Sequence, residues 1–256
     1  MPTTTLKRRL LDGEIVVGTM VFEFRTPGVA AVCAAAGADF VLFDQEATGC
    51  SVETLGMLMA TASGVDTVPL VRVPATQPHL LSGPLDVGAG GLMVPMVESR
   101  AQAEAIVDAA KYPPLGNRGV IAGLAAAGYR APDDIGATLA EANTDKLLIA
   151  QIESGAGVER VEEIAAVDGI DVLWLGHLDL TASLGIPGQF DHPAFTDAVS
   201  RIVAAARAAG KPAAAKVGGV EEARRRIDQG FSCICYGDDV KLLRDGLRAG
   251  VDAVRG

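Results

Sequence analysis

The stretch LLIAQIE (Leu147–Glu153) is apolar at every position except 151 and 153. Side chains alternate faces along a strand, so a run that is apolar on both faces needs both faces covered. That is the condition of a parallel strand wrapped by helices. The two exceptions are two residues apart and share a face. They fall at the C-terminal end of the run, where parallel α/β folds place their chemistry.

The same pattern predicts strands at Ile15–Val21, Phe40–Phe43, Thr67–Val73, Gly91–Val97, Leu147–Ile152, Val172–Leu175, Pro212–Val217 and Cys233–Tyr236. Segments of helical period lie between most of them, with readable ends. In SRAQAEAIVDAAKYP, Ser99 and Gln102 have capping-box spacing and Pro113 closes the helix; in SVETLGMLMATASG, Ser51 is the N-cap and Gly64 the terminator. Gly210 and Gly230 follow two further helices as left-handed caps. Repeated βα units with no linker predict an α/β chain forming one domain over residues 1–256, a single (β/α)8 TIM-type barrel. A doubly wound open sheet is the alternative. No GxGxxG joins a strand to a helix, so nothing points to a dinucleotide.

The formal net charge of −10 would repel a nucleic acid, and the basic cluster Arg224–Arg226 reads as a solvated helix face. No segment reaches the roughly 20 apolar residues of a membrane span, and no apolar stretch follows the charged N-terminal MPTTTLKRRLLDGE. The four cysteines show no zinc spacing and read as core thiols in a reducing compartment. A soluble, cytoplasmic protein is expected.

Polar residues recur at the predicted strand ends: Asp44 and Glu46, Arg72, Gln151 and Glu153, and Asp179 just past VLWLG. Carboxylates from different strands, with positions left for water and substrate, suit a hard divalent cation such as Mg2+ or Mn2+. An arginine nearby would face an anionic ligand of the same metal. For each carboxylate alone, a structural ion pair is an equal reading.

These residues sit in FDQEATG, VPLVRVPAT, LDVGAGGLMVPMVES, KYPPLGNRG, LLIAQIES and VDGIDVLWLGHLDLTASLGIPGQFDHPAF, and in that order the chain resembles the HpcH/HpaI aldolases, metal-dependent enzymes of 2-oxo acids. The resemblance implies a barrel assembled as a homo-oligomer, trimer or hexamer, with the C-terminal helix exchanged between subunits. It implies metal ligands at Glu153 and Asp179, with Co2+ a further candidate cation. Gln151 and the backbone around Leu178 and Asp179 would hold the 2-oxo acid, and Arg72 would sit beside the keto oxygen. Asp86 would reach a neighbouring subunit's site.

One position departs from the family. Its pattern Asp-x-Glu-His reads Asp44-Gln45-Glu46-Ala47 here, so the imidazole that moves protons is absent. The expected activity is cleavage of 4-hydroxy-2-oxo acids to pyruvate and an aldehyde through a metal-stabilised enolate, weakened by Ala47. A citrate-lyase-β or malyl-CoA-lyase-like enzyme and a non-catalytic 2-oxo acid binder are the rivals. Of the three histidines, His177 beside Asp179 is the candidate for a site role; His79 could line the same mouth, and His192 reads as a helix cap. Phe22, Phe24 and Arg25 are candidates for the aldehyde pocket, Arg118 for a substrate or subunit contact, and Trp174 for the core. Pro84 should kink or shorten the helix leading to Asp86.

Overall fold

Residue parity along each strand decides which side chains fill the barrel and which meet the helices. The structure, a computed structural model, describes residues 3–256. Its strands are β1 (Val16–Val21), β2 (Phe40–Asp44), β3 (Val68–Arg72), β4 (Gly91–Val94), β5 (Leu147–Ile152), β6 (Val172–Leu175), β7 (Ala213–Val217) and β8 (Phe231–Asp238). All are parallel, and they close in sequence order, with β8 pairing back to β1. The helices are α1 (Thr3–Leu11), α2 (Val29–Ala35), α3 (Val52–Ala62), α4 (Pro78–Asp86), α5 (Arg100–Ala110), α6 (Ile135–Asp145), α7 (Gly155–Glu159), α8 (Val161–Ala165), α9 (His177–Ser183), α10 (Pro193–Ala208), α11 (Val220–Asp228) and α12 (Asp239–Arg255). This is the expected (β/α)8 architecture.

One parity set, including Met20, Phe40, Leu42, Leu70, Ile149 and Trp174, fills the barrel interior. The other, including Val41, Phe43, Val71, Leu148 and Leu173, packs under the helices. At Gly18 a methyl would overlap both the ring and the carbonyl of Phe40, so that glycine leaves the room the ring fills. Continuing the inward parity one step toward the C-terminal ends gives Asp44, Arg72, Gln151 and Lys216; the pairing of Asp44 with Arg72 in register confirms that they are neighbours.

Helix α1 lies at the opposite end and sends Leu6 and Leu10 into the interior cluster. Lys7 fixes it by an ion pair to Asp171 at 2.9 Å and a bond to the Thr144 carbonyl at 3.0 Å. A Leu6→Ala variant should therefore lose about 2–5 kcal/mol of stability, as buried leucines do when truncated. The midpoint of urea unfolding checks this; a shift worth under about 0.5 kcal/mol, the size typical of exposed sites, would mean α1 does not plug the barrel.

Helix ends follow the sequence. Ser51 and Ser99 accept from the backbone N–H of Thr54 and Gln102, and Gly64, Gly210 and Gly230 have positive φ. Several expectations change. Strand β4 stops at Val94 rather than residue 97, because Pro95 is followed by Met96 at φ 52°. Helix α4 runs through Pro84 to Asp86. Arg226 is not a solvated face: it is buried, with its guanidinium over the rings of Phe195 and Phe231. Cys50, Cys233 and Cys235 are buried thiols, but Cys33 is half-exposed; all four are free.

Helix α12 buries none of its residues and leaves Val240, Leu242, Leu243, Leu247 and Val254 exposed. Among the described residues, no helix is long and apolar enough to cross a membrane.

Candidate active site

The inward residues at the C-terminal end line a cavity of about 520 Å³ with Met20, Trp174 and Met93 among its walls. Glu46, Ala47, Arg72, Gln151, Leu178, Asp179, His177, Phe22 and Lys216 share it. Four of the six polar strand-end candidates border this space, and the other two, Asp44 and Glu153, bond to its wall residues Arg72 and Gln151. Trp174, read as core, packs in the barrel interior and borders the cavity.

Asp44 is the last residue of β2 and organises the turn that follows. Its Oδ2 accepts the Ala47 N–H at 2.9 Å and its Oδ1 the Glu46 N–H at 3.3 Å, while the Thr48 hydroxyl donates to its carbonyl. Arg72 bridges the two acids, with Nε 2.5 Å from Asp44 Oδ1 and Nη1 2.9 Å from Glu46 Oε2. Asp44 and Glu46 are therefore partners of the arginine. Burial pushes the Glu46 carboxyl up; Arg72 counters this, and the charges of Asp44 and Asp179 reinforce it.

Glu153 lies one residue past β5 and is 1% exposed. Its Oε1 accepts the Met96 N–H at 2.8 Å and its Oε2 accepts from Gln151 Nε2. The positive φ of Met96 brings that amide onto the carboxylate, a conformation a residue with a side chain adopts only where its surroundings enforce it. Burial, with the charges of Glu46 and Asp179, pushes the Glu153 carboxyl up to about 7 against the two hydrogen bonds. Gln151 Oε1 is buried with no hydrogen-bond partner among the described residues. Asp179 stands in the first turn of α9, exposed to the cavity. Gly176 has no room for a side chain: a methyl there would overlap Glu153 Cβ and Oε2 and crowd Gln151 Nε2.

Lys216 escaped the sequence reading, although the parity of PAAAKV would have found it: Ala214 faces the interior, so Lys216 does too. Its Nζ lies 2.8 Å from Asp238 Oδ2 and 5.4 Å from the centre of the Phe22 ring. Arg72 lies over the same ring at 5.9 Å. Asp239 holds the Phe22 turn by accepting the N–H groups of Phe22, Glu23 and Phe24. His177 packs against Phe190 with ring centres 5.5 Å apart, and burial lowers its proton affinity.

Other candidates fall outside the cavity. Asp86 pairs with Arg118 at 2.6 Å, and Arg118 lies buried over the Tyr112 ring, so within this chain neither reaches the mouth. His79, Phe24 and Arg25 do not line it either; His192 caps α10 by accepting the Ala194 N–H at Nδ1.

Residues 20–246 match the family model described as HpcH/HpaI aldolase/citrate lyase. The chain belongs to this family. A hydroxypyruvate/pyruvate aldolase of Roseovarius nubinhibens is 35% identical over 96% of this chain and 95% of its own. A 4-hydroxy-2-oxovalerate aldolase of Novosphingobium aromaticivorans is 37% identical over 96% and 94%. The crystal structure of a family protein from Burkholderia cenocepacia J2315 superposes with a TM-score of 0.93 at 33% identity, covering 99% of this chain and 100% of that one. Like the HpcH/HpaI aldolases, the chain is a carbon–carbon lyase.

Proposed function

We propose that this lyase cleaves 4-hydroxy-2-oxo acids to pyruvate and an aldehyde, with a divalent cation held by Glu153 and Asp179. The observation that carries the reading is the buried Glu153, close enough to Asp179 and Glu46 to feel their charge, beside an unpartnered Gln151 oxygen at the wall of an Arg72-lined cavity. A buried carboxylate near other acids costs free energy unless compensated; hard oxygen donors of this kind fit Mg2+, Mn2+ or Co2+. Among the described residues no group of three or more His, Cys, Asp and Glu side chains is gathered to hold a metal, and Glu153 and Asp179 are proposed as a pair. A bound cation would act as a Lewis acid on the keto oxygen.

The protein's own groups supply the rest. Arg72 presents a permanent charge to the oxygen on which enolate charge builds, an electrostatic term of the kind that dominates such sites. Gln151 and the backbone at Leu178 and Asp179 orient the 2-oxo acid. Asp44 and Glu46 hold the guanidinium in place. Ala47 has nothing with which to take the C4 hydroxyl proton, so aldol turnover is low. That same residue favours one second reading, a barrel that binds 2-oxo acid and metal without turnover.

Titration calorimetry of pyruvate with and without Mn2+, beside a retro-aldol assay, tests the reading. Metal-dependent binding with slow turnover is expected. No pyruvate binding under either condition would end it. A Gly176→Ala variant should lose at least about tenfold in metal-dependent pyruvate affinity, because disturbing the groups that orient metal ligands typically costs 10–100-fold, while circular dichroism reports an intact barrel. Unchanged affinity would remove Glu153 from the ligand set.

We further propose a homo-oligomer, trimer or hexamer, in a cytoplasmic setting. The exposed apolar face of α12 supports assembly, as large uncovered patches do, and the free thiols suit a reducing compartment. Asp86, its side chain 39% exposed, would be the group offered to a neighbouring subunit.

A further inference from the structure

Position 47 leaves this mouth without its family's proton carrier, which raises the question of what else on the cavity wall can give and take a proton. Arg72 is bridged to two carboxylates. Glu46 and Asp44 are committed to that bridge. Gln151 does not titrate. Lys216 differs from all of them. It enters from β7 at an inward position, lines the same cavity as Ala47, and has one hydrogen-bond partner among the described residues, Asp238 at 2.8 Å. An ammonium has three N–H groups, so two remain free for the cavity. Asp238 is itself fixed, accepting the Lys241 N–H at 2.8 Å as the cap of α12.

We propose that Lys216, oriented by Asp238, is the proton-transfer residue of this mouth. The proposal rests on the 2-oxo acid reading above. In the enolisation of bound pyruvate, the neutral amine takes a proton from the C3 methyl group. The C–H electron pair becomes the C2–C3 double bond, and the negative charge moves to the C2 oxygen. The ammonium returns a proton to C3 in the reverse step, after exchange with solvent. Lysine serves as the base in other enolate-forming barrels. Its amine is bounded here by Asp238 and Cys235 on β8, by the Phe22 ring and Arg72, by His177 on α9, and by Glu222 on α11 across a second cavity that His177 and Lys216 also line.

The test is deuterium exchange into the methyl group of pyruvate, followed by proton NMR with Mg2+ present and paired with calorimetric pyruvate binding. It is run on the unmodified chain and on Lys216→Met, Lys216→Arg and His177→Phe. Both Lys216 variants should exchange at least about tenfold more slowly, the lower side of what general acid–base groups contribute. Their pyruvate affinity should stay within about threefold, the mark of a group acting on the chemical step. Full exchange in Lys216→Arg would make the residue a mere cation and overturn the proposal. So would loss of exchange in His177→Phe alone, or no exchange by an unmodified chain that binds pyruvate. Failure of the unmodified chain to bind pyruvate would instead sink the 2-oxo acid reading, and this proposal with it.

Discussion

Ala47→His is expected to raise retro-aldol kcat by about 10²–10⁴, the range that a positioned general base contributes. The backbone is ready for it. The turn from Asp44 to Thr48 is pinned by the Asp44 carboxylate on the Glu46 and Ala47 N–H groups and by the Thr48 hydroxyl, so a larger side chain at 47 needs no backbone rearrangement. Ala47 is exposed and lines the cavity, so an imidazole would enter space that is open. Its ordinary titration range near neutrality suits a group that must both take and return a proton. Steady-state cleavage of a 4-hydroxy-2-oxo acid, followed by pyruvate release, measures the gain. A gain in kcat with little change in pyruvate affinity supports the aldolase assignment; tight pyruvate binding with no gain favours the binder.

Arg72→Ala should fail twice. Removing a charged donor from an enolate-stabilising site typically costs about 10²–10³ in rate, best read in an Ala47→His background where turnover is high. The same change leaves Asp44, whose side chain is fully buried, without its counter-charge. Breaking a buried pair from one side costs about 3–5 kcal/mol, and chemical denaturation reports that loss independently of rate. Arg72→Lys separates the two effects. An ammonium restores a charge near Asp44 but lacks the planar fork that spans Asp44 and Glu46 together, so stability should return in part while the rate stays low. Stability unchanged in Arg72→Ala would show that Asp44 carries no buried charge.

Much of this site was legible because a period of two is unforgiving. Once Phe40, Leu42 and Leu70 face inward, Asp44 and Arg72 must follow them, and Ile149 carries Gln151 the same way. Lys216 obeys the same rule: Ala214 faces the interior, so the next inward position of β7 is the lysine. What sequence could not reveal depends on contacts distant along the chain. The early end of β4 reflects Met96 turning its amide onto Glu153, 57 residues on. Arg226 looks solvated in a run of three arginines, yet two phenylalanines from other elements enclose it. Asp86 is a plain helix-terminal acid until the loop bearing Arg118 folds back to meet it. Helix α1 hides its role in two leucines spaced four apart, a signal too short to separate from a charged tail.

The adjacent acids at the start of α12 tie two things together. Asp238 grips Lys216 and Asp239 grips the Phe22 turn, while both open the helix on which Val240, Leu243 and Leu247 are exposed. Movement of that helix acts on a lever whose short arm ends inside the reaction chamber. A change that shifts the start of α12 should therefore disturb the chamber before it disturbs the barrel.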